Sequence, residues 1–159
     1  MIAVKLIALG TLKESYLREA VAEYEKRLGA FCKLEILQLK EERLGDRPSE
    51  GEIRNALEKE AVKILAEIPP RAYRIALCVE GKQLSSEELA DKLGEVAERH
   101  GELCLIVGSS FGLSDTVKQH CHMRLSVSKL TFPHQLMRVL LLEAVYRGFN
   151  ILKGTQYHK

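Results

Sequence analysis

Two apolar runs constrain this chain more than anything else in it. Ile2–Leu9 (IAVKLIAL) is interrupted only by Lys5, and residues 103–107 (LCLIV) carry no polar side chain except a thiol. Runs of this length without alternation are the mark of strands buried on both faces, and such strands need helices above and below them. The sequence between them supplies those helices. Residues 13–28 place Tyr16, Leu17, Ala20, Val21, Tyr24 and Leu28 at helical spacing before Gly29. Residues 33–39 read as a second strand, and 40–51 (KEERLGDRPSEG) as a polar surface loop. A helix over 53–68 stops at Pro69-Pro70, and 73–79 is a further strand.

The second half continues the alternation. Ser85 with Glu88 three residues on fits a capping box that opens a helix to about His100. The strand at 103–107 runs into a turn, GSSFG, at 108–112. A short helix follows at 114–120, then a strand at 124–128. Pro133 suits the first turn of a long apolar helix over 136–152. Strands alternating with helices predict the α/β class, with a single doubly wound parallel sheet. At 159 residues the chain is expected to form one domain, 1–159.

Composition narrows the setting. With 46% hydrophobic and 29% charged residues, the chain has the material for a core and is not of the disordered type. No run approaches the roughly 18 apolar residues of a membrane span. The opening MIAVKLIALG has no basic leader, so a cytoplasmic protein is expected. Cys32, Cys78, Cys104 and Cys121 form no CxxC pair and read as reduced packing residues. The net charge is +2, but its distribution is uneven. From Lys118 onward seven Lys or Arg face one acid, Glu143, giving 7 − 1 = +6 and leaving 2 − 6 = −4 on the rest. A basic C-terminal quarter on an acidic body suits a polyanion such as RNA.

Ligands of open parallel sheets sit beyond the carboxyl ends of the strands. Three such exits stand out: residues 77–82, the turn at 108–112, and residues 127–134 (VSKLTFPH). The GSSFG turn lacks the lysine of a phosphate loop and the GxGxxG spacing, which argues against a nucleotide-phosphate cradle. His120-Cys121-His122 resembles a metal trio only in composition, because neighbours on a strand face opposite ways, and no metal is expected. His134 stands at the start of the last helix, where it can cap, pack or catalyse. The tail 154–159 (GTQYHK) is either a frayed end or a set of proton-transfer and phosphate-binding groups, and the residues alone leave both open.

Taken together, KLIALGTLKESY, LCVEGKQLSSEELA, IVGSSFGL, LSVSKLTFPHQLMRVLLLEAVYRGFNILKG and the closing YHK resemble the small SPOUT-superfamily methyltransferases that modify N3 of a pseudouridine in bacterial 23S rRNA. The resemblance covers the whole chain. It implies a C-terminal trefoil knot in the sheet, a homodimer, and S-adenosylmethionine held by Leu77, Gly108, Val127, Ser128, Lys129, Leu130, Thr131 and Phe132. Ser109 and Phe111 depart from it, standing where similar proteins usually have a second glycine and a polar residue. The implied partner is 23S rRNA, in the assembled 70S ribosome, with neither DNA nor membrane involved.

An acceptor imide nitrogen is protonated near neutrality, so the reaction needs a group to take or steer its proton. His158 and Tyr157 are the candidates, and Lys159 or Arg138 could stabilise the resulting imidate. The tail is expected to close over the target base of a partner subunit. The competing readings are a non-catalytic RNA-binding or ribosome-assembly factor on the same scaffold and a small-molecule α/β enzyme. The segment SKLTFPHQ and the YHK tail favour the methyltransferase, since a pure binder needs no cofactor pocket.

Overall fold

The computed structural model describes all 159 residues. Five strands alternate with five helices: β1 (Ile2–Leu9), α1 (Ser15–Leu28), β2 (Cys32–Leu39), α2 (Glu50–Glu67), β3 (Tyr73–Lys82), α3 (Ser86–Arg99), β4 (Glu102–Val107), α4 (Asp115–Gln119), β5 (Met123–Leu125) and α5 (His134–Lys153). All pairings are parallel, in the order β2-β1-β4-β3-β5. The two apolar runs are therefore neighbours at the sheet centre, with Leu6 opposite Leu105 and Ile7 opposite Ile106.

Alternation along β1 divides the core. Ile2, Val4 and Leu6 face a large cluster with Leu17 and Val21 of α1, Leu93 of α3 and Leu142 and Phe149 of α5. Ile7 and Leu9 face a smaller cluster with Ile64 of α2 and Val117 of α4. Lys5, the break in the run, sends its ammonium to the Glu67 carbonyl at the end of α2 (2.9 Å), where the helix dipole favours a cation.

Three boundaries move by three residues from the sequence reading. Helix α2 begins at Glu50, inside the expected loop, because Ser49 and Glu52 form a reciprocal capping box. Strand β3 runs on to Lys82. Strand β5 ends at Leu125, short of the expected Ser128, because the chain turns there: the Ser126 hydroxyl donates to the Ser128 carbonyl (3.0 Å). Residues 81–82 and 124–126 lie against each other, with Ser126 N–H donating to the Lys82 carbonyl (3.0 Å). A Cβ at Gly81 would sit 2.5 Å from the Leu125 carbonyl carbon, so this crossing of backbones needs glycine.

Candidate active site

The carboxyl ends of β3 and β4 and the segment after β5 enclose a cavity of about 500 Å³. Leu77, Gly108 and all six residues from Val127 to Phe132 line it, so the eight residues expected to hold the cofactor are brought together. Local chemistry explains why these loops keep their shape without regular structure. Leu130 N–H donates to the Ser128 hydroxyl (2.9 Å), which tightens the segment beyond β5.

In the GSSFG turn, Gly112 adopts φ +86° and its N–H donates to the Ser109 carbonyl (2.9 Å). A Cβ on Gly108 would collide with the Gly112 carbonyl. Ser109 is buried with an ordinary negative φ, and its hydroxyl accepts from Phe111 N–H (3.3 Å). Serine thus fills the place of a second glycine without backbone strain.

The cavity mouth is apolar. Val79 is 86% exposed, Leu130 71% and Phe111 46%, an unusual concentration of uncovered large side chains around one opening. One wall is charged: Lys118 pairs with Glu80 at 2.7 Å and holds that carboxyl below its ordinary range. His134 and Met137 complete the lining. Sequence reasoning left His134 open. Burial lowers its pKa, which favours the neutral imidazole at the cavity wall. Cys78 also faces the cavity, and burial raises its pKa.

The four other expected residues lie elsewhere. Arg138 is 2% exposed and donates to the carbonyls of Leu9 (2.5 Å) and Gly10 (2.8 Å) and to Gln38 Oε1 (3.1 Å). It stitches α5 to the ends of β1 and β2 and does not line the cavity. Lys159 is exposed at the terminus.

Tyr157 and His158 belong to an ordered network on α1, α3 and α5. Thr155 starts it, its hydroxyl donating to Asn150 Oδ1 (2.6 Å) just past the left-handed cap Gly154. Tyr157 and Tyr24 both donate to Glu143 Oε2, at 2.7 and 2.8 Å, while Arg147 Nε donates to Oε1 (2.9 Å). Burial raises the Glu143 pKa, but the bonds from Tyr157, Tyr24 and Arg147 outweigh it and hold the carboxyl below its ordinary value. The same bond to Glu143, with burial, pushes the Tyr157 phenol up.

His158 bridges two charged groups. Arg147 Nη1 can only donate, so His158 Nδ1 accepts (3.2 Å), and its Nε2–H donates to Glu87 (2.8 Å). The tail is therefore a docked segment and not a frayed end. Of the His120-Cys121-His122 trio, His122 accepts at Nδ1 from Arg74 N–H (2.9 Å) and stacks on Tyr73. No group of three or more His, Cys, Asp or Glu side chains is placed to hold a metal ion. All four cysteines are free thiols, and no helix is long and apolar enough to cross a membrane.

The family described as "Predicted SPOUT methyltransferase" matches residues 2–158. The chain belongs to the SPOUT methyltransferase family. It is 45% identical over 157 residues to the ribosomal RNA large subunit methyltransferase H of Bacillus pumilus, covering 98% of this chain and 99% of that protein. It is 47% identical, with the same coverage, to the protein of that name from Streptococcus thermophilus. Among solved structures, a tRNA methyltransferase from Aquifex aeolicus superposes with a TM-score of 0.55 at 14% identity, over 99% of this chain and 73% of that one. At that identity the likeness speaks for the fold alone.

Proposed function

We propose that this chain, as a single SPOUT domain, transfers a methyl group from S-adenosylmethionine to N3 of a pseudouridine in 23S rRNA. It acts as a homodimer on the assembled ribosome in the cytoplasm. The observation that carries this reading is the near full-length identity to proteins named ribosomal RNA large subunit methyltransferase H. The close passage of residues 81–82 against 124–126 supports the trefoil knot expected of such a chain.

The cavity suits the cofactor. Its volume lies within the range of roughly 300–1,000 Å³ found for small-molecule sites. Leu77, Leu130 and Phe132 offer apolar walls for a flat purine, and the backbone of residues 127–132 offers polar groups to read its edge. When bound, the cofactor supplies an electrophilic methyl on a sulfonium. The chain's own residues must orient the acceptor nitrogen in line with it and remove the N3 proton.

His158 is the group for that proton. Once Arg147 swings away from Nδ1, this nitrogen takes the proton from N3, and Glu87, already bonded to Nε2–H, steadies the imidazolium that forms. Arg147 or Lys159 then stands by as a cation for the imidate oxygen. Tyr157, its phenol pushed up by Glu143, keeps its own proton and steers the base as a donor. Arg138 acts from beneath, fixing α5 against β1.

Because the tail docks on α1, α3 and α5 and not at its own cavity, it serves the cavity of the second subunit. The half-buried α5 residues Leu136, Val139, Leu140 and Ala144, and the apolar cavity mouth, are the surfaces for that subunit to cover.

Labelled S-adenosylmethionine incubated with ribosomes that lack the modification tests the reading. Label in large-subunit rRNA is expected. Intact cofactor binding with no label in ribosomes or free rRNA would overturn it in favour of an RNA-binding factor.

A further inference from the structure

A second cavity, of about 450 Å³, opens at the opposite end of β3. Its lining is Arg71, Ala72 and Pro70 before the strand, Arg74 in it, Arg99 and His100 at the end of α3, and His122 before β5. Three guanidinium groups and two imidazoles meet there without one carboxylate in the lining. Arg71 and Arg74 make no ion pair, and the Arg74 Nε is buried with no hydrogen-bond partner. Arg99 touches Glu95 only at 3.6 Å, with its side chain 73% exposed, so it is free to turn inward.

The rings add a second element. His122 accepts from Arg74 N–H at Nδ1, which leaves its Nε2–H as a donor. It stacks on Tyr73 (centroids 4.7 Å, 13° between planes), and His100 meets the same tyrosine edge-on at 5.3 Å. His100 and His122 are both exposed. Unpaired arginine forks match phosphate oxygens in pairs, and uncovered flat rings take unstacked bases. An acidic protein surface would answer the charges but not the exposed rings, and a membrane would need apolar side chains that this rim lacks.

We propose that this cavity binds the phosphodiester backbone of structured RNA, with a base laid against the His100–His122 edge. It is a second RNA contact, remote from the methyl-transfer cavity. Arg74 and the cofactor-cavity residue Cys78 lie four residues apart on one rigid strand, about 13 Å at the usual rise. An enzyme that must present one base gains from two such contacts, because together they fix the angle at which the target reaches the cofactor. That benefit rests on the rRNA reading above; the binding itself does not.

The test compares the wild-type protein with the doubles Arg71→Ala/Arg99→Ala and Arg71→Lys/Arg99→Lys. Both positions are clear of the cofactor cavity, and thermal melting checks the fold. Three quantities are read: affinity for bacterial ribosomes across a salt series, affinity for S-adenosylmethionine, and the split of methyl transfer between KM for ribosomes and kcat. The alanine double is expected to bind ribosomes about tenfold more weakly and to lose about two units of the slope of log affinity against log salt. Cofactor affinity and kcat at saturation stay near wild type, and the lysine double recovers most of the slope. Unchanged ribosome affinity and slope in the alanine double would overturn the proposal, whatever methylation does. Loss of ribosome binding in a protein that never methylates would keep this site and overturn the proposed reaction.

Discussion

Tyr157 donates its phenol to Glu143 across 2.7 Å, one of the contacts that tie the C-terminal tail to the helix that carries it. Glu143 is the one acid in the basic C-terminal quarter. It collects Tyr157, Tyr24 and Arg147, and Arg147 in turn holds His158. Arg147 also lies over the Tyr157 ring at 4.7 Å, so the network has packing as well as charge.

Glu143→Gln keeps the size of the side chain but removes the charge. It is expected to cut kcat about tenfold or more, and deletion of Tyr157 to Lys159 to abolish turnover, while cofactor affinity stays within a few-fold in both. Calorimetry with S-adenosylmethionine beside a methyl-transfer assay separates the two effects. A matched fall in both would place the tail in cofactor binding instead.

Acid should undo this network late. The Glu143 pKa is lower in the folded chain than its ordinary 4.5, so its contribution is fully present above the unfolded value. It is lost as pH falls through the lower, folded value. Tyrosine fluorescence of the docked tail is therefore expected to show a transition below the ordinary glutamate range, and Glu143→Gln should abolish it.

Arg138→Ala removes a buried guanidinium and leaves the Leu9 and Gly10 carbonyls without their donor. A loss of about 3 kcal/mol, or roughly 6–12 °C in Tm, is expected. Differential scanning calorimetry would show it. A variant with unchanged Tm but no turnover would mean that Arg138 reaches the substrate after all.

Two glycines differ in what they protect. Gly81→Ala drives a Cβ into the 124–126 backbone and should lower stability by about 1–3 kcal/mol or more. Gly108→Ala pushes on the Gly112 carbonyl and should open the turn, weakening cofactor binding about tenfold with a smaller change in Tm. Gly45→Ala, which meets nothing within 4 Å, is the control.

Strands β1 and β4 were legible because burial on both faces leaves an unbroken apolar run, and the helix spacings followed from one buried stripe each. The start of α2 escaped because its signal, Ser49 with Glu52, lay inside a stretch that composition marks as loop. The loops of the cavity beyond β3 and β4 were readable as strand exits, but only resemblance to a family assigned residues 127–132 to one ligand. Position in the fold was out of reach for Arg138 and His122. Both were noticed for what imidazole and guanidinium can do, and both are held by backbone groups more than sixteen residues away in sequence, which no local pattern reports. The crossing at Gly81 is of the same kind, a contact between segments with nothing in either to announce it.

Nucleotide-level mapping of the methylated product tests the central claim most directly. Ribosomes lacking the modification are incubated with the protein and S-adenosylmethionine, and the large-subunit rRNA is digested for mass spectrometry. The account predicts one new N3-methylpseudouridine, formed by the full chain and not by the chain cut before Tyr157. A methyl on another atom or nucleotide, or equal yield from the truncated chain, would contradict it.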